Sequence, residues 1–199
     1  MENNSKSFSL DGLLRQNVVL MSGLVTAPII VACTTMMRAL VLVISFFMIS
    51  YLSILICRII PRKIAYTFRI LFYAVVAAAL YIPTILLLQR LFPNETASVM
   101  LYIELMVVNL LLLAKTESRF YLISYGKMAA EALVYIVGYA LAAFAVGFVR
   151  EILAYGTLFG FKLFGAILPA AHSPFFGFVL VGLLAAGCRA VVSGSRKES

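Results

Sequence analysis

Residues 39–57, reading A-L-V-L-V-I-S-F-F-M-I-S-Y-L-S-I-L-I-C, pass nineteen positions without an Asp, Glu, Lys, Arg or His. A helix needs about 20 apolar residues to cross about 30 Å of hydrocarbon, so this run is built to span a bilayer. Five further stretches are long and predominantly apolar, at residues 17–35, 68–91, 99–120, 128–148 and 174–192. With 64% hydrophobic and 12% charged residues, too little polar surface remains to cover a soluble domain. The sequence therefore predicts an all-α integral membrane protein, one domain over residues 1–199 with six transmembrane helices.

Each stretch has features that shape its helix. Pro28 lies inside the first, and its missing donor and bulky ring predict a kink or break near the middle. The second ends in a basic hinge of Arg58, Pro61, Arg62 and Lys63, and the third contains Pro83 and is closed by Arg90, Pro93 and Asn94. The fifth and sixth are rich in small residues, including Gly138, Gly147, Gly177 and Gly182, which allow helices to approach closely in lipid. Before the first span, a polar lead through Leu14 reads as a short interfacial helix. It lacks the apolar core and cleavage site of a signal peptide, so it is expected to stay on the mature protein.

The charge distribution orients the chain. Twelve Lys and Arg residues fall at the two ends, in the second-to-third loop and in the fourth-to-fifth loop. Only Arg38, Arg90, Arg150 and Lys162 fall on the other side. Under the positive-inside rule both termini are cytoplasmic. The net charge of +8 follows from this topology and needs no nucleic-acid partner, since no basic stripe with interleaved aromatics is present. Spans one to three then begin inside and spans four to six outside, giving two inverted three-helix repeats at residues 17–92 and 98–192. Thr35-x-x-Arg38 after the first span is echoed by Thr116-x-x-Arg119 after the fourth.

Polar groups inside the spans are the candidate functional residues. The fourth stretch carries Glu104 and Asn109 in its apolar run. An acid there faces protein or a wet cavity, or leans back to the interface. Glu131 lies near the start of the fifth span, where it either complements the helix N-terminus or handles an ion. Arg150 and Glu151 close that span and read as interface markers, with pairing to neighbours as the other option. His172, in a loop, is expected at the outer surface. No Ser/His/Asp or Cys/His set and no phosphate-cradling Gly-rich loop supports an enzyme. Cys33, Cys57 and Cys188 form no ligand pattern and read as packing residues; no metal site is expected from them.

The run Gly147-F-V-R-E-I-L-A-Y-G-T-L-F-Gly160, followed by His172-S-P-Phe175, resembles the fifth-span exit and outer loop of the Rnf/Nqr membrane subunits, which read G-x-x-R-E-I-x-G-x-G-T-L-F and then D-S-P-F. Ile103–Phe120 is similar to their P-L-I-V-T-N-C-x-x-x-G-R-A-E-A-F stretch, and the first span to L-C-P-L-L-A-V-T-S-T. The resemblance covers nearly the whole chain and is closest to the RnfE/NqrD branch. It implies first and fourth helices that are interrupted, and a paralogous RnfA/NqrE-like partner with which the pair shares a membrane iron–sulfur cluster. In the family, one cysteine from each of those two spans binds it. Here those positions are Ala27 and Leu110, neither of which can ligate iron, and Cys33 lies six residues beyond Ala27 without a fourth-span counterpart. Glu104 replaces a family proline, a Pro-Pro-Gly segment before the last span is missing, and the family's acid at the start of the fifth span is matched by Glu131.

The resemblance implies a multi-pass subunit of the cell (inner) membrane in an ion-translocating electron transport complex. It would be divergent, with no cofactor bound by this chain alone and the shared iron–sulfur cluster in doubt. Glu131, Glu104 and Asn109 are the ion-pathway candidates, and a pure scaffold is the other role within that reading. The alternative class is a small-solute transporter or the substrate-binding membrane component of a vitamin uptake system, which also has about six spans in a chain of this size.

Overall fold

The computed structural model describes residues 26–61, 63–108 and 122–194, and it is mostly helical. The helices are α1 (Thr26–Ala32), α2 (Met36–Cys57), α3 (Tyr66–Leu91), α4 (Pro93–Val107), α5 (Tyr125–Tyr155) and α6 (Pro174–Gly194). Of these, α2, α3 and α5 are long and apolar enough to cross a membrane. A short hairpin of β1 (Thr157–Leu158) and β2 (Phe161–Lys162) and a 3-10 turn at Pro169–His172 lie between α5 and α6.

The chain divides into two compact units, Met1–Leu40 with Val137–Ser199, and Val41–Ile136. In the second unit α3 packs on α4 and on the later turns of α2. Its core is formed by Phe46, Ile49, Ile54, Tyr73, Ala77, Leu88, Val99 and Ile103. The other face of α3 exposes Phe68, Leu71, Phe72, Val75, Ile82 and Leu86, as a span facing acyl chains requires. Pro83 sits inside α3 without ending it, and beside it Thr84 Oγ1 donates to Leu80 O at 2.7 Å. Phe92 alone separates α3 from α4, because Pro93 takes the first position of the new helix, where a missing N–H costs nothing. Thr96 Oγ1 donates back to Leu88 O at 3.1 Å and ties the corner.

Several boundaries differ from the expected ones. The described part of the first span breaks at Cys33–Thr35; Pro28 lies in the first turn of α1, and the preceding turn, where its kink is expected, lies outside the described residues. The second stretch holds a π-helical turn at Phe47–Tyr51, with Phe47 and Tyr51 stacked at 5.1 Å. Residues 39–57 are apolar on nearly every side, so the phase shift from the extra residue of such a turn cannot be read from their periodicity. The fourth stretch starts as a helix at Pro93 rather than Val99 and is helical to Val107. Asn109, Leu110 and the Thr116-x-x-Arg119 echo lie outside the described residues. The fifth helix begins at Tyr125 and continues to Tyr155.

Candidate functional site

The first unit is built around a broken helix. α1 ends at Ala32, three residues follow, and α2 starts at Met36. A break exposes carbonyls at one end and N–H groups at the other, and inside a membrane protein both sets need partners. Thr35 supplies part of the answer as N-cap: its Oγ1 accepts from Arg38 N at 3.3 Å, while Arg38 Nη1 donates to Thr34 Oγ1 at 2.7 Å.

The rest comes from two consecutive residues of α5. Arg150 is fully buried, and its guanidinium donates to Ile30 O at 2.7 Å and Cys33 O at 3.3 Å, the carbonyl end of α1. The same group donates to Ala171 O at 3.0 Å, His172 O at 2.8 Å and Ser173 O at 3.2 Å. Glu151 is also buried. Its Oε2 accepts from Met36 N at 2.6 Å, the first N–H of α2, and its Oε1 accepts from Thr157 Oγ1 and Gly160 N, each at 3.1 Å. A cation thus meets the negative end of one helix and an anion the positive end of the next, which is the favourable sense at both. The planar guanidinium suits this task because its five donors fan out in one plane.

The reading of Arg150 and Glu151 as markers of the interface is therefore corrected. They are interior groups that satisfy the broken backbone. Adjacent on the helix, they also leave the buried knot without net charge.

The motifs that follow them close on the same knot. Phe159 and Gly160 form the two-residue turn between β1 and β2, both with positive φ, 51° and 82°, the geometry that matches the twist of a tight hairpin. Gly156, with φ 64°, has no room for a Cβ against Phe164 O and Gly165 O. Ser173 and Pro174 are the N-cap and first residue of α6, with Phe176 N directed at Ser173 Oγ across 3.5 Å. Gly177 lets α6 lie directly on the end of α1, where any Cβ would collide with Ile30 O. Gly147 does the same more loosely against Thr35 O and the Ala39 methyl, at 3.2 and 3.1 Å.

The sequence-selected residues are scattered by comparison. Glu131 is buried but lies in the second turn of α5, because the helix starts at Tyr125. A contribution from the helix dipole, which fades after the first turn, is not its main setting. Glu104 is exposed on α4 and accepts from Tyr81 Oη at 3.3 Å. Ala27 is exposed on α1, whereas Pro28, Ile29 and Ile30 are buried. Cys33 is fully buried, and its carbonyl is one of the Arg150 acceptors. His172 is exposed, with Nδ1 2.6 Å from Tyr155 Oη. Among the described residues no group of three or more His, Cys, Asp or Glu side chains is arranged to hold a metal. The methyl of Ala27, on the exposed side of α1, offers no ligand atom to iron.

A family profile described as "Rnf-Nqr subunit, membrane protein" matches residues 5–186. The chain belongs to this family. Among its relatives is one of the subunits of the Na(+)-translocating ferredoxin:NAD(+) oxidoreductase complex of Acetobacterium woodii, 34% identical over 109 residues. The match covers 55% of this chain and 54% of that relative, so it spans about half the relative's length. In this Rnf-Nqr protein the R-E-I, G-T-L-F and S-P-F motifs, which follow one another in sequence, meet the end of the first span, 117 residues before Arg150 at Cys33, at one broken helix.

Proposed function

We propose that this chain is a membrane subunit of an Rnf/Nqr-type ion-translocating electron transport complex, and that its own task is to hold the broken first helix in place against a related subunit. The observation that supports this most is the pairing of Arg150 with the carbonyl end of α1 and Glu151 with the N-terminus of α2. Such a clamp serves a helix that must stay interrupted. Ala27 occupies the exposed side of that short helix, which in this reading faces an RnfA/NqrE-like partner. The chain then forms two inverted three-helix repeats, residues 17–92 and 98–192, with both ends cytoplasmic and no cluster half-site of its own.

Glu131 is the acid of choice for ion handling, since it is buried within a long apolar helix, and acids so placed mark ion paths. Glu104 and Asn109 are secondary candidates on the fourth stretch. Sodium is the first ion to test, because it is the ion in the relative's name. Affinity purification of the tagged chain from its own membranes is expected to bring flavin-bearing redox subunits with it. Recovery with an ATPase pair instead would support the vitamin-uptake alternative, which no observation here favours. In the purified complex Glu131→Gln should reduce sodium-dependent turnover; unchanged turnover with normal assembly would leave the scaffold role alone.

A further inference from the structure

We propose that the loop from Phe159 to Leu168 is a membrane-surface anchor, its apolar side chains entering the boundary between lipid headgroups and acyl chains. The proposal rests on the membrane nature of the family and on no assumption about redox partners. Phe159, Phe161, Leu163, Phe164, Ile167 and Leu168 are all exposed, and Lys162 is the one charged residue from Gly156 to Ala171. A cluster of this kind left in water would be a large apolar patch of the sort that marks an interaction surface.

Backbone satisfaction favours lipid as the occupant. Segments that enter a bilayer boundary must settle their own polar groups. Gly160 N donates to Glu151, Leu163 N and Phe164 N both donate to Gly156 O, and Ile167 N and Leu168 N both donate to Leu153 O. The last two bonds fold the loop back to the level of the final turns of α5, where Phe148 and Tyr155 are also exposed. The apolar surface continues onto Phe175, Phe178 and Leu183 along one face of α6. Large side chains dominate the surface, whereas helix contacts between membrane subunits favour small ones that let backbones approach. Lys162 supplies a cation for anionic headgroup phosphate, and the nearest acid, Glu151, is turned inward and buried. Amphipathic elements of this type sit about 5–10 Å into the headgroup and acyl boundary.

The chain contains no tryptophan, so a single Trp reports its own surroundings without background. Phe161→Trp and Ile167→Trp variants of the full chain would be placed in phosphatidylethanolamine/phosphatidylglycerol vesicles with and without brominated acyl chains, with Leu183→Trp on α6 as the lipid-facing reference. Blue-shifted emission and a severalfold loss of intensity in brominated vesicles are expected at positions 161 and 167. Quenching at Leu183→Trp with water-like, unquenched emission at the other two would overturn the proposal. Quenching at 161 and 167 in the isolated chain that disappears in the purified complex would also overturn it, by assigning the loop to a protein partner. Absence of quenching at all three positions would remove the lipid-facing assignment of α6, and the anchor with it.

Discussion

Arg150 shows how a residue type common at span ends becomes an interior strut. A buried guanidinium is costly unless its donors are met, and five carbonyls meet them. Arg150→Ala would strand several of those carbonyls, at about 1–3 kcal/mol for each that finds no new partner. The expected outcome is a chain that is poorly retained in membranes and melts far below the parent in detergent. Arg150→Lys should recover only part of this, since a point charge with three donors cannot reproduce the planar fork. Glu151→Gln keeps the shape but loses the charge at the α2 N-terminus and one of its two acceptor oxygens. A loss of about 1–2 kcal/mol is expected, readable as a lowered thermal midpoint by circular dichroism.

At the scale of elements, glycine positions separate contact from composition. Gly177 and Gly182 belong to the same helix and the same small-residue pattern, yet a Cβ on Gly177 would strike Ile30 O, while one on Gly182 would meet nothing within 4 Å. Gly177→Ala should therefore push α6 off the end of α1 and destabilise the protein clearly. Gly182→Ala should stay within about 0.5 kcal/mol of the parent, as a change that touches nothing does. Equal effects of the two substitutions on the thermal midpoint would contradict the packing described. The hairpin adds a second case: its turn needs positive φ at Phe159 and Gly160, and Gly160 can adopt it without strain whereas a phenylalanine cannot.

For the whole molecule, the proposal that this Rnf-Nqr family member carries no cluster half-site rests on the resemblance, which sets Ala27 and Leu110 where the family's cysteines fall. The purified chain should accordingly bring no iron of its own to a complex, and Cys33→Ser should leave the iron content of that complex unchanged. Iron lost on that substitution would make Cys33 a ligand and overturn the proposal. Much of the architecture was legible from one dimension. Hydrocarbon thickness fixes span length and lipid forbids unpaired backbone, so runs such as 39–57 and 174–192 had to become apolar helices, and their motifs were enough to mark the family. The place of the break was not legible, because Pro28 is a local signal while the interruption at Cys33–Thr35 is held by side chains 115 or more residues away. Nor could the sequence distinguish an Arg-Glu pair facing water from one buried against two helix ends. Burial depends on which backbone groups arrive beside a side chain, and only the folded chain brings α1, α2 and the Ser173 loop to the same point on α5.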